Sequence, residues 1–194
     1  MHLPVILFSF GFYAVAESVI STTCCGPEAK DQVAWEMVKA MAEDSFYVFQ
    51  TTTSQTLNCT RFEVNQTDEN NHTATLVIRT RSDTIVTTVA AKGNQLIVNA
   101  QQEFPGSYPV LYTDNCTCGV FASPDEEEIL LWVANRTALT GSYNMCCKEV
   151  FNREAMKIQN VTYGKFSEGC LESSRNNRVA TNFRIPDGNE DYVK

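Results

Sequence analysis

The stretch TATLVIRTRSDTIVTTVAAK, residues 73–92, decides the fold class. Leu76 and Ile78 alternate with Val77 and Arg79, so that successive side chains face opposite sides of an extended chain. A polar Ser-Asp pair divides the stretch into two halves rich in Thr, Val and Ile, which is typical of two strands joined by a turn. The stretch therefore predicts β structure rather than helix.

The same composition recurs on both sides of this hairpin, at a spacing of about ten residues that is typical of all-β folds. Turn residues such as Lys92-Gly93-Asn94 and Pro105-Gly106 separate the segments, and Asp125–Glu128 is interpreted as a solvated hairpin loop. The predicted strands are Ser45–Thr53, Thr56–Asn65, Thr73–Ser82, Thr84–Lys92, Gln95–Phe104, Tyr108–Asp114, Cys118–Ala122 and Glu128–Asn135.

Amphipathic helices are predicted before and after the strands, over residues 29–42 and 144–158. In the second helix Cys147, Phe151 and Ile158 fall near one face, and Ser142 is the candidate cap. In the first helix, Trp35 lies at the edge of an apolar face formed by Val33, Ala34, Met37, Val38 and Met41.

Eight meander-spaced strands and two helices predict an all-β dominated fold: an eight-stranded antiparallel up-and-down barrel with both helices packed outside. A barrel of this size encloses room for one small ligand or is filled by its own side chains. The rival architecture is a β-sandwich, which fits the strands but offers no obvious place for the helices.

The two ends of the chain are predicted to lie outside the folded domain, which spans residues 17–170. Residues 1–16, MHLPVILFSFGFYAVA, form a short apolar run that ends in Ala-Val-Ala and lacks a basic start. This pattern favours a cleaved signal peptide over a buried N-terminal helix or strand, and the run is too short for a membrane anchor of about 20 residues. Residues 171–194 are polar and are predicted to be a flexible tail.

Glycosylation and disulfide patterns agree with export, so we expect a secreted, extracellular protein that does not insert into a membrane. Glycan acceptors must face solvent. The six Asn-x-Ser/Thr sites are Asn58, Asn65, Asn71, Asn115, Asn135 and Asn160.

The cysteine count is even, which in an oxidising compartment predicts four disulfides. Adjacent cysteines rarely bond each other because the disulfide would be strained, so each adjacent pair must reach elsewhere. The spacings do not fit a zinc site. The eight cysteines are Cys24, Cys25, Cys59, Cys116, Cys118, Cys146, Cys147 and Cys170.

Charge and histidine content exclude several classes of function. The formal net charge is −8, which disfavours a nucleic-acid partner because phosphate binding needs clustered Lys and Arg. The two histidines are His2, in the predicted signal peptide, and His72, in a polar stretch. A His-based catalytic triad and a multi-His metal site are therefore excluded, and we expect neither enzymatic activity nor a cofactor or metal.

The chain resembles the tick salivary lipocalins of the histamine-binding type over roughly residues 31–170. The double Cys and the Leu-Trp-Val are a fairly specific signal for the family when they occur together, and a weak signal when either occurs alone. The segments that carry the resemblance are Gln32-Val33-Ala34-Trp35, Phe46-Tyr47-Val48, Cys118-Gly119-Val120-Phe121, Leu131-Trp132-Val133, Cys146-Cys147-Lys148 and Val161–Cys170.

The resemblance implies a disulfide pattern. The family's disulfides imply Cys59–Cys170 and a bond between the Cys116/Cys118 group and the Cys146/Cys147 group. Complement-inhibiting relatives add an N-terminal Cys that bonds to the double Cys. Together these imply Cys118–Cys147 and a bond from Cys24 or Cys25 to Cys146, with the other N-terminal Cys left for Cys116.

Amine-binding members of the family carry acids at three pocket positions, and this chain has Val33, Gly119 and Leu130 there. A buried ammonium group needs a carboxylate partner, so we expect histamine and serotonin to bind weakly or not at all. Asp31 lies near the first position and is a candidate to substitute in part. The predicted pocket lining is otherwise apolar and aromatic, and consists of Val33, Trp35, Gly119, Phe121, Leu130 and Trp132.

The resemblance and this lining together predict a lipocalin that binds an apolar or amphipathic small ligand, such as a lipid, eicosanoid or sterol. Some relatives scavenge eicosanoids, and the japanin-like subgroup carries a sterol and alters dendritic cells. The resemblance therefore implies modulation of host immunity or inflammation from saliva. The alternatives are a protein-binding antagonist of complement or of an immune-cell receptor, on a filled barrel, and a biogenic-amine scavenger.

Overall fold

The structure, a computed structural model, describes residues 33–99, 105–158 and 161–171. The predicted signal peptide, Asp31, Cys24, Cys25, Asn160 and the tail beyond residue 171 lie outside the described residues. Within the described part of the chain, no helix combines the length and apolar character needed to cross a bilayer.

Eight strands form a closed antiparallel barrel in which each strand pairs with the next along the chain. The first strand closes the barrel, because Phe46 pairs both with Ala134 of the last strand and with Phe62 of the second. The predicted up-and-down barrel is confirmed. Its strands are β1 Phe46–Thr51, β2 Arg61–Asp68, β3 Thr73–Arg79, β4 Thr84–Lys92, β5 Gln95–Val98, β6 Gly106–Thr113, β7 Cys118–Ala122 and β8 Ile129–Ala134.

Three helices that lie wholly within the described residues, and a short ninth strand, accompany the barrel. They are α1 Val33–Glu43, α2 Asn135–Ala138, α3 Met145–Ile158 and β9 Tyr163–Gly164. The β9 strand pairs with the second half of β1, at Gln50 and Thr51. This pairing places the chain that follows α3 beside the loop between β1 and β2.

Helix α1 lies across one end of the barrel, which we call the closed end. Its Ala34 N–H donates to the carbonyl of Gly93 in the β4–β5 turn at 3.2 Å. The Trp35 indole Nε1 donates to Glu69 Oε2, beyond β2, at 3.0 Å. Met37 and Met41 are buried in the same cluster as the side chains of the barrel interior. The apolar face predicted for this helix therefore covers the closed end of the core.

Helix α3 packs on the outer face of β7 and β8. Its Cys147 and Phe151 are buried against Val120, Leu131 and Val133, which point out of the barrel. All residues of β7 and β8 are therefore buried, because one face of each strand meets the interior and the other meets α3.

One local prediction for α3 is wrong. The Asn144 side chain, rather than Ser142, caps the helix: its Oδ1 accepts a hydrogen bond from the Cys146 N–H at 2.9 Å. Ala155 continues the buried stripe, whereas Ile158 is exposed at the last residue of the helix.

The structure contains the disulfides Cys59–Cys170 and Cys118–Cys147, the two pairs that the family resemblance implies. Cys116 is also disulfide-bonded, to a partner that lies outside the described residues. The prediction that Cys146 is paired is wrong, because Cys146 is a free, exposed thiol. Successive helix residues point about 100° apart, so Cys147 faces the barrel while Cys146 faces solvent.

Candidate ligand-binding cavity

A cavity of about 140 Å³ opens at the barrel end opposite α1, which we call the open end. Loops 52–60, 80–83 and 123–128 surround this end. The cavity is lined mainly by inward-facing apolar side chains of the strands and by polar groups of the β1–β2 loop. The lining residues are Val48, Gln55, Thr56, Leu57, Thr60, Phe62, Leu76, Ile78, Leu96, Val98, Tyr108, Glu128, Leu130 and Trp132.

An aromatic stack separates this cavity from the closed end. The ring centroids of Phe62 and Trp132 lie 3.9 Å apart at an interplanar angle of 13°. The ring of Phe121 lies 4.1 Å from that of Trp132 at 31°. Two rings at these distances cannot share one side of the indole, so they cover its opposite faces. Phe121 is fully buried and absent from the cavity lining, so the stack is the floor of the cavity.

Close packing fills the closed half of the barrel below this floor. A Cβ added at Gly119 would lie 2.9 Å from Phe121 Cε2 and 3.0 Å from Met37 Sδ, both shorter than ordinary contacts. The space next to Gly119 is therefore already occupied. A carboxylate side chain at this position would have to displace the side chains of Phe121 and Met37.

The structure divides the predicted pocket residues into two groups. Leu130 and Trp132 line the cavity at the open end. Trp35, Gly119 and Phe121 lie toward the closed end, and none of them lines the cavity. Val33 is the first residue of α1, and its side chain is not described.

Sequence reasoning missed most of the lining, including Val48, Leu76 and Tyr108. Alternation along β3 and β8 identifies the inward residues, but it does not say how far along the barrel axis each lies. Glu128 could have been found, because it is two residues before Leu130 and so faces the same way along an extended chain.

A wider, acidic vestibule of about 720 Å³ adjoins the cavity at the open end. Gln55, Thr56, Tyr108 and Glu128 line both spaces, so the cavity and the vestibule lie next to each other. The vestibule is also lined by Asp125 and Glu127, which are exposed as predicted for the 125–128 loop. Glu128 differs from that prediction, because it is half-buried and turned toward the cavity.

Hydrogen bonds hold the Glu128 carboxylate at the boundary between cavity and vestibule. Its Oε1 accepts hydrogen bonds from the hydroxyl groups of Thr51 and Thr56. Thr51 lies at the end of β1 and Thr56 lies in the β1–β2 loop, so the carboxylate also ties this loop to the start of β8.

The neighbouring ionisable groups keep the vestibule negative at neutral pH. Burial raises the pKa of Tyr108 above its usual 10.0, and the charges of Glu128 and Asp125 raise it further, so the phenol stays neutral. The hydroxyl of Ser123 and the backbone N–H of Glu127 donate to Asp125 and lower its pKa below the usual 3.8. The Asp125 carboxylate therefore remains ionised even in mildly acidic solution.

The decisive comparison is with protein families: a model described as tick histamine binding protein matches residues 26–172. The chain belongs to this family. The resemblance first seen in the Cys and Leu-Trp-Val segments is thereby confirmed.

One solved structure adds evidence on the fold of this histamine-binding family member. The chain is similar to AM182, whose crystal structure is described as a serotonin complex. The sequence identity is 22% over 75% of this chain and 96% of that chain, with a TM-score of 0.61. It also matches the siderocalin Ex-FABP, described as having dual ligand specificities, at 11% identity, 66% and 91% coverage, and a TM-score of 0.45. At such low identity the AM182 match shows the lipocalin fold alone.

Proposed function

We propose that this chain is a secreted lipocalin that binds one small amphipathic molecule at the open end of its barrel. The apolar part of the ligand occupies the cavity above the Phe62–Trp132–Phe121 floor, and the polar part lies in the vestibule. The observation that carries the proposal is that an apolar cavity adjoins a polar vestibule, with Tyr108 and Glu128 lining both.

The sizes of the two spaces limit the ligand. An apolar cavity of roughly 150 Å³ in another protein holds one benzene, so the cavity of about 140 Å³ accepts a single ring or a short branched segment. A lipid, eicosanoid or sterol would therefore insert one end and leave the rest in the vestibule of about 720 Å³.

The negative charge of the vestibule favours some of these ligands over others. A free fatty acid or a free-acid eicosanoid would bring a carboxylate beside Glu128 and Asp125, and like charges repel at this distance. A sterol or another neutral amphiphile avoids this repulsion. We therefore place neutral amphiphiles ahead of anionic lipids.

A ring-bearing amine is the second candidate, and Glu128 is the observation that favours it. The three family positions for acids hold no carboxylate here, but Glu128 supplies one at the outer edge of the cavity. A ligand with an apolar ring and a flexible ammonium group would place the ring in the cavity and the charge in the vestibule. Histamine, whose ring is itself polar, is still expected to bind weakly.

Three probes that differ in their polar end test both candidates: 2-phenylethanol, phenethylamine and 3-phenylpropanoate, titrated by calorimetry. We expect the anion to bind worst. Glu128→Gln should weaken phenethylamine by about three- to tenfold, the range for a partly exposed ion pair, and should strengthen 3-phenylpropanoate. Its effect on the alcohol should be small.

The control for this test is Glu43→Gln, which removes an exposed carboxylate at the closed end and should leave all three affinities unchanged. Unchanged phenethylamine affinity in Glu128→Gln would remove the amine candidate. If none of the three probes bound the wild-type protein, the ligand-binding proposal would fail and the protein-antagonist alternative would move ahead. If the probes do bind, native mass spectrometry of the secreted protein would identify its natural ligand.

By analogy with salivary members of the family, we further propose that ligand capture modulates host immune or inflammatory responses. The structure supports the ligand-binding part of this proposal, because the open half of the barrel holds a cavity rather than a packed core. A host-protein partner has no comparable observation in its favour.

If the protein is exported, we expect N-glycans at its Asn-x-Ser/Thr sites. The solvent exposure of each Asn indicates which of the described sites are accessible. Asn58, Asn65 and Asn71 are exposed, whereas Asn115 and Asn135 are half-buried. Glycosidase treatment of the secreted protein should lower its mass in steps, and an Asn→Gln variant at the three exposed sites should lose most of that change. A mass unaffected by the enzyme would argue against the exported glycoprotein.

A further inference from the structure

Lys165, which directly follows β9, is a buried lysine beside the β1–β2 loop. It is only 7% exposed, and none of the ion pairs in the described part of the chain includes it. Its Nζ instead donates a hydrogen bond to the Ser54 carbonyl at 3.0 Å and lies 5.5 Å from the centre of the Tyr163 ring. Burial of an ammonium group without a carboxylate is costly, so lysine is rarely found in such a position. An apolar side chain would fill the same space at lower cost, which indicates that the charge has a specific role.

The backbone of Lys165 is fixed on both sides. Its N–H donates to the Phe49 carbonyl of β1, and its carbonyl accepts a hydrogen bond from the Cys59 N–H, each at 3.0 Å. Cys59 is in turn joined to Cys170 by a disulfide. The lysine side chain therefore starts from a firm base, and its hydrogen bond to Ser54 constrains the loop rather than the lysine.

The tip of the β1–β2 loop, residues 54–57, begins with the residue that Lys165 holds. The other three residues of the tip line the ligand cavity: Gln55, Thr56 and Leu57. Among the described residues, two hydrogen bonds join the tip to other elements of the fold. One runs from Lys165 Nζ to the Ser54 carbonyl, and the other from the Thr56 hydroxyl to Glu128 Oε1. The tip is thus held between the chain that follows β9 and the chain that precedes β8.

We propose that Lys165 is a positioning residue of the ligand site, whose ammonium group holds the loop tip against the cavity. This inference rests on the proposed ligand site and deepens it. Lys165 does not line the cavity, so it acts through the tip and not by contact with the ligand. Without the ammonium group, the tip would be less ordered before binding. A ligand would then have to order it, and the entropy cost would lower the affinity.

Lys165→Met tests this role, because it keeps an unbranched side chain and removes the ammonium group. We expect it to weaken 2-phenylethanol about fivefold in calorimetry, since part of the contribution of a charged hydrogen bond is then lost from binding. The matched control is Lys157→Met, which removes an ammonium group that is exposed on α3 and paired with Glu154. It should leave the affinity unchanged.

A double-mutant cycle gives a readout that general destabilisation would not produce. Thr56→Val removes the other hydrogen bond of the tip and keeps the shape of the side chain. If both bonds order the same tip, their effects are coupled. The double variant with Lys165→Met should then bind 2-phenylethanol about as weakly as the weaker single variant. Two independent effects would instead multiply.

The wild-type protein offers a test that needs no variant. Coupling between sites is reciprocal, so a hydrogen bond that favours ligand binding must itself be favoured by the ligand to the same extent. Saturating 2-phenylethanol should therefore slow proton exchange at the Lys165 ammonium group about fivefold, measured by ¹⁵N NMR. This measurement decides the question if Lys165→Met does not fold.

The outcomes separate the inference from the proposed function. If the wild-type protein binds 2-phenylethanol, the ligand site stands whatever Lys165 does. Unchanged affinity in a folded Lys165→Met variant, losses that multiply in the cycle, or ammonium exchange that the ligand leaves unaltered would each overturn the positioning role. If the wild-type protein does not bind the probe, the cavity is not a ligand site and the inference fails with it.

Discussion

Leu130→Glu is expected to weaken binding of neutral amphiphiles such as 2-phenylethanol by roughly a hundredfold. Leu130 is 7% exposed and lines the cavity above the aromatic floor. A carboxylate introduced there loses hydration when a ligand enters, without gaining a partner. We expect a loss of about 3 kcal/mol in binding free energy, which corresponds to roughly a hundredfold in affinity. Calorimetry at neutral pH measures it directly.

Two comparisons make this result interpretable. Leu139→Glu adds the same charge at a leucine that is 53% exposed outside the barrel, and should leave affinity unchanged. Phenethylamine should bind Leu130→Glu better than the wild-type protein, because its ammonium group can pair with the new carboxylate; such a gain also shows that the variant is folded. Wild-type affinity for 2-phenylethanol in a folded Leu130→Glu variant would mean that the ligand lies elsewhere.

The barrel was predictable from the sequence because its signal is local and repeated. Alternation along residues 73–92 gives two strands, and the same pattern returns at intervals that match a meander. The face of α1 with Met37 and Met41 was also visible as a helical period. Helical periodicity identifies the buried face of α1 but not the direction of its axis. The position of α1 across the closed end is therefore seen only in the structure.

The position of the cavity could not be predicted, because it depends on depth along the barrel axis. Phe121 and Leu130 are directly paired on neighbouring strands and both point inward, yet only Leu130 lines the cavity. The difference arises because Phe121 stacks on Trp132 and packs against Gly119, whose missing side chain leaves room for Met37. These contacts join residues that are distant in sequence, and no local pattern records them.

Removal of the Cys59–Cys170 disulfide is expected to have the largest effect on stability. The bond spans a sequence separation of 111 residues, for which the chain-entropy relation gives about 4.8 kcal/mol. Cys118–Cys147 spans 29 residues, for which the same relation gives about 3.6 kcal/mol. Paired Cys→Ala variants, unfolded in urea, should lose stability in this order, and Cys146→Ala should be close to neutral because Cys146 is exposed and unbonded.

Removal of the Cys59–Cys170 disulfide should also weaken ligand binding, because this disulfide holds the β1–β2 loop at the rim of the cavity. Next to the bond, the Cys59 N–H donates to the Lys165 carbonyl at 3.0 Å, and Lys165 Nζ donates to the Ser54 carbonyl at 3.0 Å. The same β1–β2 loop supplies Gln55, Thr56 and other lining residues. The Cys59/Cys170 variant should therefore bind 2-phenylethanol more weakly even where it remains folded, whereas the Cys118/Cys147 variant, altered on the outer face near α3, should keep its affinity. Equal losses of affinity in the two variants would show that the rim has no special dependence on Cys59–Cys170.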